Sequence, residues 1–503
     1  MMNYKLQITN KNLDSLLRGK GTSSRGYILV GTLVFSTIAI IILTALASWS
    51  AANYRAVGQS VDREKAFQIA EAGIEYYRWH LAHAPQDFKD GTTVSGPYIH
   101  PYYDKLGNLV GQYELTITPP LIGSTVVKIV SKGVTATTTV SRSIEAILAI
   151  PSLAKYAFVS NSVMRFGEGT EIFGPIHSND GIRMDGFAHN IVTSAKTSYD
   201  DPDHNGGVEF GVHTHINAPP SSGTSEGGLS SEAPPSLVSV RTDIFAVGRQ
   251  FPIPAVDFNG FTQSLANLKT LAQESDRYFA ASGAQGYNIV LKTNGTFDLY
   301  KVTALVSAPK SCNKPNWDSQ EGWSTWSIKT QTFIANYTFP TNGVVFVEDN
   351  VWVEGQINNA RLTIASGRFP ESDTTNTNIS FTKDILYTNY DGRDVLALIA
   401  QNNINAGMES ADTIEIDAAL IAKNGRAGRY YYNASCHPYD DRTLLKLYGM
   451  ITTNKRYGFA YTSNPGGGYA TRQIIYDGNL LYSPPPSFPL TSDQYVTISW
   501  REI

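Results

Sequence analysis

The 503-residue sequence has only two cysteines, Cys312 and Cys436. Two thiols exclude a multi-disulfide scaffold and a cysteine-rich zinc site. Charge is scarce too. Asp, Glu, Lys and Arg make up 17% of the chain, and the net charge of -4 offers no basic surface for nucleic acid. There is no P-loop, no H-E-x-x-H and no dinucleotide fingerprint. No proline precedes Pro85, and no charged residue lies between Arg25 and Arg55. These last two absences matter most, because together they leave a long stretch with nothing to break a helix and nothing to keep it in water.

The 23 residues from Tyr27 to Trp49 are almost wholly apolar or small. As a helix they span about 35 Å, enough for a hydrocarbon core of about 30 Å. Lys5, Lys11, Arg18, Lys20 and Arg25 precede them against one acid, Asp14. The positive-inside rule puts this leader in the cytoplasm and everything after Trp49 outside. Trp49 and Tyr54 stand where an interfacial anchor belongs. A cleavable secretory signal ending at Ala45 to Ala47 is one alternative, although the apolar run exceeds the usual length. An uncleaved single-pass anchor is another.

The helical pattern continues past the membrane segment. Phe67, Ala70, Ile74, Tyr77 and Leu81 form an apolar stripe at three- and four-residue spacing. One helix over 27–84 is expected, with Gly58 and Gly73 as places for a bend.

A basic leader ending in Gly26, an apolar half-helix and an amphipathic half resemble the signal and first helix of type IV pilins and pseudopilins. The stretch "DREKAFQIAEAGIEYYRW" is similar to the signature of PilX-type minor pilins. The resemblance covers roughly 23–148. It implies a leader, 1–26, that prepilin peptidase removes between Gly26 and Tyr27. Two positions depart from the family pattern: Tyr27 stands where Phe is usual, and Gly31 where Glu is usual. PilX-type pilins are similar in lacking that Glu. A subunit with no neighbour above it has no use for the acid, so Gly31 points to a tip or minor position. As a plain reading, Gly31 is one small residue of a membrane helix.

After Pro85 the period changes to two. Tyr113, Leu115 and Ile117, then Val127 and Ile129, then Ile144, Ala146 and Leu148 predict a small antiparallel β domain over 85–150. From 151 to 503 short apolar strands recur between Gly, Asn and Asp turns without a strict period. An irregular, right-handed β-solenoid is expected, with a β-sandwich as the alternative. Asn358, Asn403 and Asn405 are candidates for a buried asparagine ladder. A flexible insertion is expected near 218–236 and a helix near 260–280. The fold class is mainly β with a long N-terminal α-helix.

Candidate chemistry is thin. His213 and His215 share a strand face, with His177, Asp203 and His204 near in sequence. No third ligand follows from the spacing, so the expectation is no metal, no cofactor and no catalytic residue. Glu348, Asp349, Glu354 and Arg361 are what a polysaccharide lyase on a solenoid needs. Trp317, Trp323, Trp326 and Tyr430 to Tyr432 suit either a sugar or protein contact or loop packing. Cys312 and Cys436, both outside the cell, form either one bridge or two separate thiols. The expected function is a minor pilin or pseudopilin precursor, non-catalytic, acting in pilus assembly or surface contact. Its expected partners are other pilin subunits, prepilin peptidase, the cytoplasmic membrane and a surface glycan or protein. The competing reading is a membrane-anchored extracellular solenoid that binds or acts on polysaccharide.

Overall fold

The computed structural model describes residues 25–138, 140–152, 154–204, 207–223, 241–258, 265–316, 320–456, 458–461, 466–490 and 492–503. Residues 1–24 of the expected leader, 224–236 of the expected insertion and 259–264 at the start of the expected helix lie outside them.

Helix α1 runs unbroken over Arg25–His83, 59 residues. Pro85 ends it, and His80 and His83 sit in its last turn, where the helix dipole favours cations. Its second half buries Ala66, Ile69, Ala70, Ile74, Tyr77 and Leu81. Phe67 sits at the rim, edge-on to Trp500 with ring centroids 5.7 Å apart. Neither Gly58 nor Gly73 interrupts the helix. Gly73 serves a close approach instead, since a Cβ there would lie 2.3 Å from Ser131 Oγ.

Over this stripe lies an antiparallel sheet of β1 (Tyr98–Tyr103), β2 (Leu109–Thr118), β3 (Val127–Thr135) and β4 (Ser141–Ala149). Its fifth strand is Val496–Glu502, from the far end of the chain, paired with β4. The expectation that all of 151–503 belongs to the distal domain is therefore corrected. The last strand finds an open sheet edge, and Arg501 Nε donates to Glu145 Oε1 across it at 2.9 Å.

The distal domain is a solenoid of parallel rungs. In one inward row, strand register stacks Val345, Ile364, Leu398, Leu420, Ile451, Phe158, Ile176 and Val192. Runs such as "VVFV" and "VLALIA" are buried at every position, as strands covered on both faces must be. Parallel pairing between successive rungs excludes the sandwich.

That row is out of chain order. The chain enters mid-stack at Phe158–Ser160 and climbs to Arg249–Gln250. Residues 251–258 and 265–277 lie between that end and the other, where Tyr278–Phe279 starts a second series of rungs. On this face the series ends at Thr453, paired with Ser160, while on the neighbouring face Gly467–Tyr476 follows, pairing with both Asp441–Gly449 and Thr170–Phe173. The two series thus meet at an internal seam.

The return segment covers an outward apolar face. Phe258 and α2 (Leu265–Glu274) pack on Val344, Phe346, Ala365 and Ile399. Asn179 clamps the segment by exchanging two hydrogen bonds of 2.8 Å with the Val256 backbone. Rung turns are held by asparagines, and of the expected three Asn403 is among them. The ladder is Asn350, Asn378 and Asn403, each side-chain oxygen accepting the next rung's backbone N–H. Asn358 pairs with Asn389 instead. The side-chain amide of buried Asn405 has no hydrogen-bond partner among the described residues.

Buried Arg361 joins the two domains. Its guanidinium donates to the carbonyls of Ile122, Gly392, Ser483 and Pro484. Desolvation lowers its pKa to about 10.

Candidate functional site

Among the described residues, the first half of α1 stands clear of the rest of the chain. From Tyr27 to Val61 every residue but Gly31 is exposed, and Gly31 itself is only partly covered. The stretch before the sheet projects by about 60 Å at 1.5 Å per residue. This helix is long and apolar enough to cross a membrane. Four of its polar side chains bond back to the preceding turn. Thr32 Oγ1 donates to Ile28 O at 3.0 Å, Ser36 Oγ to Thr32 O at 2.6 Å, Thr37 Oγ1 to Leu33 O at 2.7 Å and Thr44 Oγ1 to Ile40 O at 2.8 Å. Hydroxyls bonded back to the preceding turn can enter a medium without water. A Cβ at Gly31 would meet nothing within 4 Å, so no packing inside the chain requires a glycine there. Gly26 and Tyr27 lie in the helix's first turn, and Trp49 is exposed near the far end of the apolar run.

Cys312 and Cys436 are joined by a disulfide. Around it, Trp326, Trp352, Tyr430 and Tyr432 are buried in one cluster. Their polar tips are used internally: Trp352 Nε1 donates to Trp326 O at 2.9 Å, and Tyr432 OH to Ser324 O at 2.7 Å. Half-buried Trp323 donates to Tyr431 O at 3.1 Å. Trp317 lies outside the described residues. These aromatics pack a covering segment onto the solenoid, so they do not form the exposed contact patch that was one expectation for them.

The candidate lyase residues do not converge. Glu348 binds Lys269 and Tyr278, and Asp349 binds Ser282 and Arg368. Glu354 pairs with Lys383 at 2.6 Å, and Arg361 is committed to carbonyls.

The histidines separate into two places. His177 bonds Thr193 and Asn179 at 3.0 Å each on the outward face of a rung. His213 and His215 are buried together with Asp201, an acid their spacing did not reveal. Desolvation, with Arg183 and His213 nearby, pushes His215 down to about 4.

Asp417 is a buried acid that sequence reasoning missed. Tyr387 N–H and Tyr390 OH both donate to its Oδ2 at 2.8 Å, while Oδ1 has no partner among the described residues. Desolvation raises its pKa from 3.8 to about 6, with nearby Glu415 raising it further and Lys446 lowering it. The folded state thus holds this proton more tightly than the unfolded state. Stability is highest below about pH 4 and falls as pH rises toward about 6, for this group alone. An asparagine keeps the acceptor and removes the charge. Asp417→Asn is expected to stabilise the protein at pH 7 by about 1–3 kcal/mol and to flatten the pH 4–6 slope. Urea titrations at pH 4.5 and 7 measure both effects, and equal stabilisation at the two pH values counts against this origin.

No protein-family model and no curated protein matches this sequence. Among solved structures, the chain is similar to the competence-associated pilin ComZ from Thermus thermophilus, at 12% identity and a TM-score of 0.31, over 88% of this chain and 98% of that one.

Proposed function

We propose that this protein is a minor pilin or pseudopilin that works by assembly or surface contact and not by catalysis. The observation that carries this reading is α1: one continuous helix whose first half is apolar and exposed, and whose second half is the spine of a folded domain. Such a helix suits lipid first and a bundle of like helices later, because both accept an apolar surface. The subunit is made with the leader 1–26 in the cytoplasm and the rest outside. Prepilin peptidase cuts after Gly26. The solenoid is then carried to the cell surface, where a glycan or another protein is its ligand class. The scattered, individually paired carboxylates give the polysaccharide-lyase alternative no shared groove.

The test is the mature N-terminus by mass spectrometry. The expected chain begins at Tyr27. Gly26→Leu is expected to block cleavage and leave the protein in the cytoplasmic membrane, because the peptidase must accept a narrow, extended backbone at this position. A mature protein that retains Met1 or starts at Ser48 rejects the reading, as does normal filament incorporation of the Gly26→Leu variant.

A further inference from the structure

Strand Val212–His213 pairs in parallel with Ile182–Met184 on the solenoid. Just before it, the chain makes a hairpin of Ser198–Asp200 and Val208–Phe210. Asp201 follows the hairpin's first strand. The fold therefore brings an acid from the hairpin against two histidines from a rung. Asp201, His213 and His215 are 1%, 0% and 2% exposed. One ligand atom from each lies within 4.8 Å of the other two.

These atoms lack the partners that buried polar groups normally have. Asp201 Oδ1 accepts the Asp203 N–H at 3.0 Å. Its Oδ2 has no hydrogen bond among the described residues; His213 Nε2 is 3.6 Å away and Arg183 Nη1 3.7 Å. His213 Nδ1 faces Tyr199 OH at 3.3 Å, and its Nε2 is unpaired among the described residues. Neither ring nitrogen of His215 has a partner among them. Of the neighbouring charges, Arg183 keeps its Nη1 unpaired among the described residues beside Asp201 and engages Asp185 Oδ2 through Nε at 2.6 Å, and Asp203 pairs with Arg165 and Arg456.

We propose that Asp201, His213 and His215 bind one divalent transition-metal ion, preferably zinc, which fastens the hairpin to the rung. Two imidazoles and one carboxylate suit zinc and its first-row neighbours, whereas calcium takes oxygen ligands only. Bonds of about 2.0–2.2 Å set tetrahedral ligands about 3.3 Å apart, so the side chains draw together by at most about 1.5 Å. Arg183 opposes a cation. Yet four carboxylates, on Asp185, Asp201, Asp203 and Glu209, outnumber the three guanidiniums of Arg165, Arg183 and Arg456 by one. A water completes the four-coordinate shell. The rival arrangement, a protonated His213 paired with Asp201, still leaves His215 unsatisfied.

The experiment uses the full chain in detergent, stripped with a chelator, reloaded with Zn²⁺ and dialysed. Elemental analysis is expected to give about one zinc per chain. Asp201→Asn and His215→Ala should each hold less than about one-tenth of that, while His177→Ala, outside the cluster, should retain it all. Stripping should speed thermolysin cleavage within the hairpin about tenfold, and Zn²⁺ should reverse this. Should the variants fail to fold, X-ray absorption of the Co²⁺-loaded wild type decides. Two imidazoles in the shell support the site. A shell without them, a folded wild type that retains no zinc, or undiminished zinc in His215→Ala overturns it.

Discussion

Replacing Gly133 by valine is expected to lift α1 off its sheet. Gly133 lies on β3, where the helix backbone crosses. A Cβ there would stand 2.0 Å from Ala66 O and 2.5 Å from Ala70 N. Both are backbone atoms, so no rotamer change relieves the clash. The helix must back away, and the contacts of Ile69, Ile74, Tyr77 and Leu81 loosen with it. Overpacking alone costs about 1–3 kcal/mol, and partial loss of four buried side chains raises the total to about 3–5 kcal/mol. Thermal unfolding of the small domain and amide exchange over 66–83 measure this. Gly58→Ala is the control, because it lies on the same helix with nothing within 4 Å of its Cβ. It should be neutral or slightly stabilising, as alanine is the better helix former. A Gly133→Val protein with unchanged melting and exchange would falsify the account of this crossing.

The helix and three of the sheet strands were legible because their signals are local. No proline, no charge and a regular stripe mark α1, and simple alternation marks β2, β3 and β4, whereas β1, with Pro101 inside it, was not read. What sequence reasoning missed depends on partners far away in the chain. The C-terminal strand pairs with residues about 350 positions earlier, and "YVTISW" alone does not say which sheet it joins. The seam is of the same kind: Asn161 Nδ2 donates to Asn454 Oδ1 across a separation of 293 residues. Short solenoid strands announce themselves by buried β-branched runs, but their order in the stack is set by the return segment, whose sequence reads only as loop and helix. The asparagine ladder shows the same limit on a small scale. Asn403 belongs to it, but without a strict period the register that selects Asn350 and Asn378 cannot be counted out. The histidine pair was visible at two-residue spacing, while Asp201 comes from a hairpin folded back over it.

Removing the disulfide should have an effect as large as the Gly133 change, by a different route. Cys312 and Cys436 are 124 residues apart in sequence. Closing a loop of this length restricts the unfolded chain, worth about 4–5 kcal/mol in the chain-entropy model. The bridge also holds a covering segment on the rungs, which its own weak secondary structure would not do. We expect Cys312→Ala with Cys436→Ala to lose about 3–5 kcal/mol, with alanine chosen so that no hydroxyl is buried. The loss should show first as local opening. Trp326 and Trp352 pack beside the bridge, so their fluorescence should shift to longer wavelength at lower urea than in the wild type. Thermolysin should cut within 306–327 before it cuts the rungs. Reducing the wild-type protein should reproduce both changes. The far-ultraviolet urea midpoint measures the global loss, while the fluorescence transition, falling at lower urea, reports the local opening. A loss below about 1 kcal/mol, with the segment still protected, would mean that aromatic packing alone holds it in place.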